Sequence, residues 1–386
     1  MTRTADVAII GAGVMGASVA WHLTQLGCRS IILLDHASAP GTGSTGRATG
    51  GFRAQFASPI NVRLSLLSRE KLRRFRDDTG GDCGYQPVGY LFLAADHAQM
   101  ATLREAIEVQ RAAGLAESAI VSLDDIARLN PSIVLDGVVG GSFGATDGYI
   151  RPLGIMQGYF DAALRAGAEV QYDAASLSFE REGNRITGIT TRAGRIAAGH
   201  VVNATGAWAA DVARLAGVDL PVTPARRQVA LTAPTTALPP TTPMTIFAED
   251  GFHFRVRDGR VLLLWPTDTS GMDRYDTTFD ARWVDGVVSR AHQRVPALRS
   301  VAVDRAGSWC GLYEMSPDHH AILGAAPGLE NFWLINGSSG HGVMHSPALG
   351  QLLAEMITGQ GASLDAHALR TTRFLEGAPN PAPVLL

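Results

Sequence analysis

Lysine is almost missing from this chain: Lys71 is the only one among 33 basic side chains. Chemistry that needs a lysine therefore has a single candidate. Cysteine is nearly as scarce. Cys28, Cys83 and Cys310 share no short spacing, which excludes a disulfide framework and a clustered zinc site and suits ordinary reduced thiols. No metal is expected. No run reaches the roughly 18 apolar residues of a membrane span. The apolar opening, Ala5 to Val19, is broken by Gly11, Gly13 and Gly16, so it reads as a strand, turn and helix rather than a secretory h-region. The cytoplasm is the expected location. A formal charge of -3 and a pI near 6.4 lack the clustered positive charge that nucleic acid requires.

What is present is a long, packable chain. Its 386 residues exceed the roughly 250–300 residues of one hydrophobic core, so two lobes are expected. Apolar residues make up 46% and charged residues 18%, well away from a disordered composition.

Residues 5–10 read as a buried strand, Met15 to Leu26 as a helix and Ser30 to Asp35 as a second buried strand, together a right-handed parallel unit. The stretch 41–52 is too rich in glycine and small hydroxyls to be a core element and reads as a loop. An amphipathic helix is expected over Pro59 to Asp77. Strand-glycine-helix patterns recur at Asn203 to Trp208, leading into a helix over 209–215, and at Gly337 to Gly342, leading into a helix over Ser346 to Ile357. The fold class is therefore α/β, with a Rossmann-type domain assembled from 1–83, 144–217 and 322–378. A second, α+β domain with a mostly antiparallel sheet takes 84–143 and 218–321. A proline-rich tail spans 379–386.

In the turn GAGVMG, Gly11 permits a tight bend, Gly13 lets a pyrophosphate approach the backbone, and Gly16 allows close helix packing. The helix N terminus adds open amides and partial positive charge. Asp35 closes the second strand at the right distance to hold ribose hydroxyls. These residues identify a dinucleotide site but do not separate FAD from NAD.

GAGVMGAS (11–18), STGRATGGFR (44–53), NATGAWA (203–209), CGLYEMSPDHHAILG (310–324) and GSSGHGVMHSPALG (337–350) resemble the FAD-dependent amine and amino-acid oxidoreductases of the D-amino acid oxidase type. Sarcosine oxidase, glycine oxidase and dimethylglycine dehydrogenase belong to that group. The resemblance implies FAD and places its contacts at Val14 and Met15 of the first turn and at His36 after the acid. It places others along the loop at Ser44, Thr45, Gly46, Arg47, Ala48, Thr49 and Gly50, and at Ala175, Thr205, Gly206, Trp208 and Gly311. The last block supplies Ser338, Gly340, His341, Gly342, Val343 and Met344, whose amides would meet the electron-rich edge of the flavin. Trp208 reads as packing more than stacking, and Glu314 as a solvated loop acid or a cofactor-side residue.

The same resemblance implies oxidation of a small amine or amino acid, chiefly by positioning. Arg53 stands where relatives bind a substrate carboxylate, His253 near an active-site tyrosine of sarcosine oxidases, and Tyr313 beside the flavin. Sarcosine oxidase has a lysine where this chain has Met344, and Lys71 does not align with the lysine that assists oxygen. The cysteine that carries flavin covalently aligns with Gly311, one residue after Cys310, so FAD is expected to be non-covalent. The electron acceptor is oxygen or another carrier, and a homo- or hetero-oligomer is possible. Competing readings are an NAD-dependent dehydrogenase and a flavin-bearing subunit of a larger dehydrogenase.

Overall fold

A computed structural model describes residues 3–192, 194–267 and 273–381. The last five residues of the proline-rich tail lie outside that range. Two eight-stranded sheets organise the chain. In the first, Arg3–Ile10 is flanked by Ile31–Leu34 and Gly194–Asn203 in parallel. Glu169–Gln171 and Phe332–Asn336 extend it in parallel on either side. Strands buried on both faces need continuous apolar runs, and Ile31–Leu34 is IILL with every residue buried. Helices Val14–Gln25, Pro59–Arg73, Pro152–Arg165 and Gly342–Thr358 cover one face. Ala209–Leu215 packs on the other with Val218, Leu220 and Leu329.

The second sheet runs Val303–Met315, Thr223–Thr232, Arg260–Leu264, His253–Arg257, Met244–Phe247, Tyr90–Ala94, Gly140–Gly144, Ser118–Val121. All its pairs are antiparallel except Met244–Phe247 with Tyr90–Ala94. Alternation assigns its two faces. Leu91, Leu93, Phe254, Val256 and Leu263 pack beneath the helix Ala281–Arg294. Val229, Leu264, His253, Ile246, Phe92 and Ser142 are successive cross-strand partners and share the face turned to the first lobe.

Three elements differ from the sequence reading. The expected helix over Pro59 to Asp77 is two, Pro59–Arg73 and Phe75–Thr79, divided at Arg74 and stopped by Gly80 in the left-handed region at φ 77°. The 41–52 stretch is not all loop, since Ser44–Arg47 forms one helical turn and Gly51–Phe52 pairs with Gly148–Tyr149. The last helix starts at Gly342, four residues before the expected start at Ser346, and carries Pro347 inside it. A proline there removes the donor for the Val343 carbonyl. The Ser346 hydroxyl donates to that carbonyl at 2.9 Å, and the following amide, Ala348 N, reaches Ser68 Oγ at 3.3 Å.

Candidate active site

Two helix N termini meet at one cavity of about 520 Å³ between the lobes. Neither Val14–Gln25 nor Gly342–Thr358 is capped by the side chain of its own N-cap residue, Gly13 or His341, or has an acid in its first turn. Their open amides and positive dipole ends suit an anionic or electron-rich ligand. Gly13, Val14 and Met15 line the cavity from the first helix, and Gly342, Val343 and Met344 from the last.

At one end, both oxygens of Asp35 hold backbone. Oδ2 accepts from Ala12 N at 2.8 Å and Oδ1 from Ala37 N at 2.9 Å. The acid thus ties the glycine turn to the end of the second strand while bordering the cavity with His36. Ala175, Thr205, Gly206 and Trp208 complete this end. Trp208 lies parallel to Tyr275 with ring centres 5.8 Å apart, and 5.1 Å from His36, so it stacks as well as packs. The Tyr275 hydroxyl donates to Asp211 on the helix after Trp208.

The segment 44–50 forms the floor, and the second sheet holds it by its carbonyls. Trp309 Nε1 donates to Arg47 O at 2.8 Å, and Arg257 to Ala48 O at 3.4 Å. One Arg255 nitrogen donates to both Thr49 O and Gly50 O at 2.6 Å. Thr45 Oγ1 accepts from Val14 N at 3.2 Å, and Ser44 Oγ donates to Leu312 O at 2.8 Å. Arg255, Arg257 and Trp309 were missed by sequence reasoning. Their partners lie more than 200 residues away, and no local pattern marks them.

Several expected contacts are placed behind the lining. Gly16 packs on the turn, where an added Cβ would stand 1.9 Å from Gly11 O, and Gly46 likewise on Gly41 O at 2.0 Å. Ser338 and His341 lie beneath the last helix's entry rather than among the residues that line the cavity. Gly311 lines it without a side chain, whereas the neighbouring Cys310 thiol is buried and directed at Gly311 O. Lys71 is remote, bordering a separate cavity of about 290 Å³ with Trp21, His22 and Glu355.

Glu314 is not a solvated loop acid. It lines the cavity, its Oε1 accepts from Ser338 N at 3.3 Å, and its Oε2 is buried without a hydrogen-bond partner among the described residues. Burial pushes its carboxyl up to about 7, against the opposing pull of the Gly337 and Ser338 amides.

Arg53 is buried beside the cavity rather than in its lining. Its guanidinium lies 4.0 Å from the Phe56 ring centre and 5.4 Å from that of Phe92. It donates to Gln55 O at 2.7 Å and meets His341 Nε2 at 3.1 Å. A permanent donor facing Nε2 requires that nitrogen to carry the lone pair. His341 is accordingly neutral, held well below the usual histidine range by burial and by Arg53. Beneath Arg53, buried Asp147 accepts from Ala54 N at 2.7 Å and Gln55 Nε2 at 3.0 Å. Burial raises it to about 6 against those bonds and Arg53's charge.

His253 turns the same way as the cavity-lining Val229 and Leu264. Its Nδ1 donates to Gly251 O at 2.8 Å, leaving Nε2 as acceptor, and burial lowers its pKa to about 4, with Arg53 and Arg227 adding to the shift. Tyr313 lines the cavity beneath Arg227, whose guanidinium is 5.5 Å from its ring centre. Burial raises the phenol, opposed by Arg227 and Arg53. Arg53, His253 and Tyr313 are thus brought within electrostatic reach of one another.

A parallel sheet presenting uncapped helix ends to a long cavity, with an antiparallel sheet as its roof, is the architecture of a two-lobed dinucleotide oxidoreductase. Residues 6–356 match the DAO family, FAD dependent oxidoreductase, and the chain belongs to it. FAD-dependent oxidoreductase domain-containing protein 1 of Bos taurus is 30% identical over 428 residues, covering 96% of this chain and 85% of that protein. The solved L-proline dehydrogenase from P. horikoshii is 27% identical with a TM-score of 0.91, covering 98% of this chain and all of the other. Mitochondrial sarcosine dehydrogenase of Homo sapiens is 26% identical over 403 residues, and the match spans 97% of this chain but 42% of that protein. The cofactor is FAD, which removes the NAD reading.

The residues fit FAD. Gly11 holds φ +103°, and a Cβ there would stand 2.3 Å from Ala204 O, so only glycine lets a pyrophosphate lie against this turn. Gly340, at φ +92°, leaves no room for a Cβ against the Tyr313 ring, 2.4 Å away. Glu314 adds a carboxyl group to the cavity wall, with one oxygen that no described residue pairs.

Proposed function

We propose that this chain oxidises a carbon–nitrogen bond of a small amine or amino acid to the imine, with non-covalent FAD as the electron acceptor. One observation carries the reading: a buried, permanently charged Arg53, held by a carbonyl and a neutral imidazole in an aromatic pocket beside the cofactor cavity. A cation so desolvated attracts a substrate carboxylate strongly, because little water competes. The Arg53 guanidinium would hold that carboxylate, Tyr313 would wall the reacting carbon, and His253 Nε2 would accept a proton from the amine. Bound FAD supplies the two-electron oxidation. The names of the dehydrogenases to which the chain is similar support the substrate class. With Lys71 remote from the site, nothing in the cavity offers the ammonium that helps oxygen in sarcosine oxidase, so a carrier is the preferred acceptor.

The test is anaerobic mixing of FAD-loaded protein with a panel of N-methyl and cyclic amino acids and their decarboxylated analogues. Loss of the flavin's visible absorbance with an amino acid is the expected result. Arg53→Met should raise the half-saturating amino-acid concentration about 100-fold, on the order of 3 kcal/mol for a charge-paired hydrogen bond, and leave the decarboxylated analogue nearly unaffected. A panel that never bleaches the flavin rejects the substrate class. Equal losses for both kinds of amine reject the role of Arg53.

A further inference from the structure

Inside the cofactor cavity, Glu314 is a carboxyl group with one unused oxygen. It sits on Val303–Met315, one residue after Tyr313, and its Oε1 reaches the Ser338 amide ahead of the last helix. An added Cβ on Gly342 would stand 3.8 Å from its Oε1. The Ser338 amide holds that oxygen, and Oε2 is covered with no hydrogen-bond partner among the described residues. No arginine, lysine or histidine lies within ion-pair distance of the acid among the described residues. The groups acting on it are Gly337 and Ser338, while Tyr313 on its own strand, Arg227 on the neighbouring strand and Arg47 on the floor line the same cavity, and the neutral His341 stands at the helix cap. The floor and last helix bring no second carboxylate to the cavity wall. An ionised carboxylate with an orphaned oxygen is costly, and any further negative charge in the same closed space makes it costlier.

We propose that Glu314 is a redox-linked proton acceptor: when the FAD gains two electrons, this carboxylate takes up a proton from solvent and becomes a neutral acid. The balance is simple. Two electrons arrive from the reductant, one proton stays with the reduced cofactor, and one negative charge is left in the cavity. A second proton forms the O–H bond on Glu314 and cancels that charge. On reoxidation the carboxyl releases it. Near neutrality the group already lies close to its midpoint, burial having raised it to about 7, so a modest added field shifts it fully. The inference rests on FAD occupying the cavity, not on the identity of the substrate.

The FAD-loaded full chain is reduced with dithionite at about pH 8, above the oxidised-state midpoint but within the raised range, so no substrate is involved. Proton uptake is read with an indicator dye in weakly buffered solution, corrected for dithionite's own protons in a blank with ferricyanide, which accepts electrons without taking up protons. The parent protein should take up two protons per two electrons, and Glu314→Gln one. The reduced-minus-oxidised infrared spectrum should show a new carboxylic acid C=O band in the parent that is missing in the variant. One proton in the parent, or equal uptake in both proteins, overturns the proposal. If the variant fails to hold FAD, carboxyl-labelled glutamate in the parent decides. A band that shifts with the label supports Glu314, and an unshifted or absent band assigns the proton elsewhere.

Discussion

Replacing Arg255 by methionine tests the claim that the second lobe shapes the cofactor site by holding backbone carbonyls. Arg255 is 4% exposed, donates to Thr49 O and Gly50 O, and rides 3.7 Å from the Tyr149 ring centre. Burial depresses its pKa to about 10, yet it remains a cation near neutrality. Hydrogen bonds from a charged donor contribute about 1.5–3 kcal/mol each, and a desolvated cation–π contact about 2 kcal/mol. Against these, removing a buried charge relieves several kcal/mol of desolvation. The net loss is roughly 3 kcal/mol, dominated by Thr49 O, left without its donor in a dry interface, and Gly50 O, left with the Ile150 amide alone. A chain of this length has an unfolding entropy of about 0.8 kcal/mol/K, so Tm should fall by about 4 °C.

The functional part is separable from the thermal one. With Thr49 O released and Gly50 O held by the Ile150 amide alone, the 49–50 end of the floor must be ordered by the cofactor itself. An ordering cost of about 1.4 kcal/mol weakens FAD binding about tenfold. Thermal melts of FAD-free and FAD-saturated protein, with a fluorescence titration of FAD, measure both effects. An Arg255→Met protein that melts with the parent and binds FAD within about twofold of it would show that the floor holds its shape without the sheet, and the reasoning fails.

Two further outcomes follow from single positions. Gly11→Ala should yield folded protein without FAD, read from the absorbance of the purified chain, because a Cβ at φ +103° meets Ala204 O at 2.3 Å. FAD retained at the parent level contradicts the close backbone approach. Asp318 accepts from two nitrogens of the fully buried Arg373 at 2.8 and 2.9 Å and from Asn380 N at 3.0 Å. Burial alone would raise its carboxyl, but Arg373 and Asn380 outweigh it and hold the pKa far below the usual range. A depressed folded-state pKa stabilises above the unfolded value of about 4 and is lost as pH falls through the folded one. Asp318→Asn should cost about 3–5 kcal/mol at neutral pH by stranding Arg373, and show a shallower acid loss in urea melts. The parent's acid slope persisting in the variant excludes that pairing as its source.

Local chemistry made part of this legible in advance. The GAGVMG turn, the acid at Asp35 and the recurring strand-glycine-helix segments each encode their geometry within a few residues, because φ > 0, helix ends and buried strands are short-range demands. The start of the last helix was misplaced by Pro347, which reads as a first-turn proline. Hydroxyls on Ser346 and Ser68 pair the groups around it, and Ser68 comes from a distant helix. The placement of His341 belongs to the same class of long-range fact, since its state is set by Arg53, 288 residues away.

By itself the sequence determined the class of cofactor fold and the backbone cradle of the first turn, where glycine alone has the conformational room and the residues concerned are neighbours. Only the tertiary structure decided which arginines clamp the floor, that Arg53 faces a neutral imidazole, and that Glu314 carries a buried oxygen without a hydrogen-bond partner among the described residues. Those properties depend on desolvation and on partners hundreds of residues apart. Burial and long-range pairing are created when the two sheets close on one another.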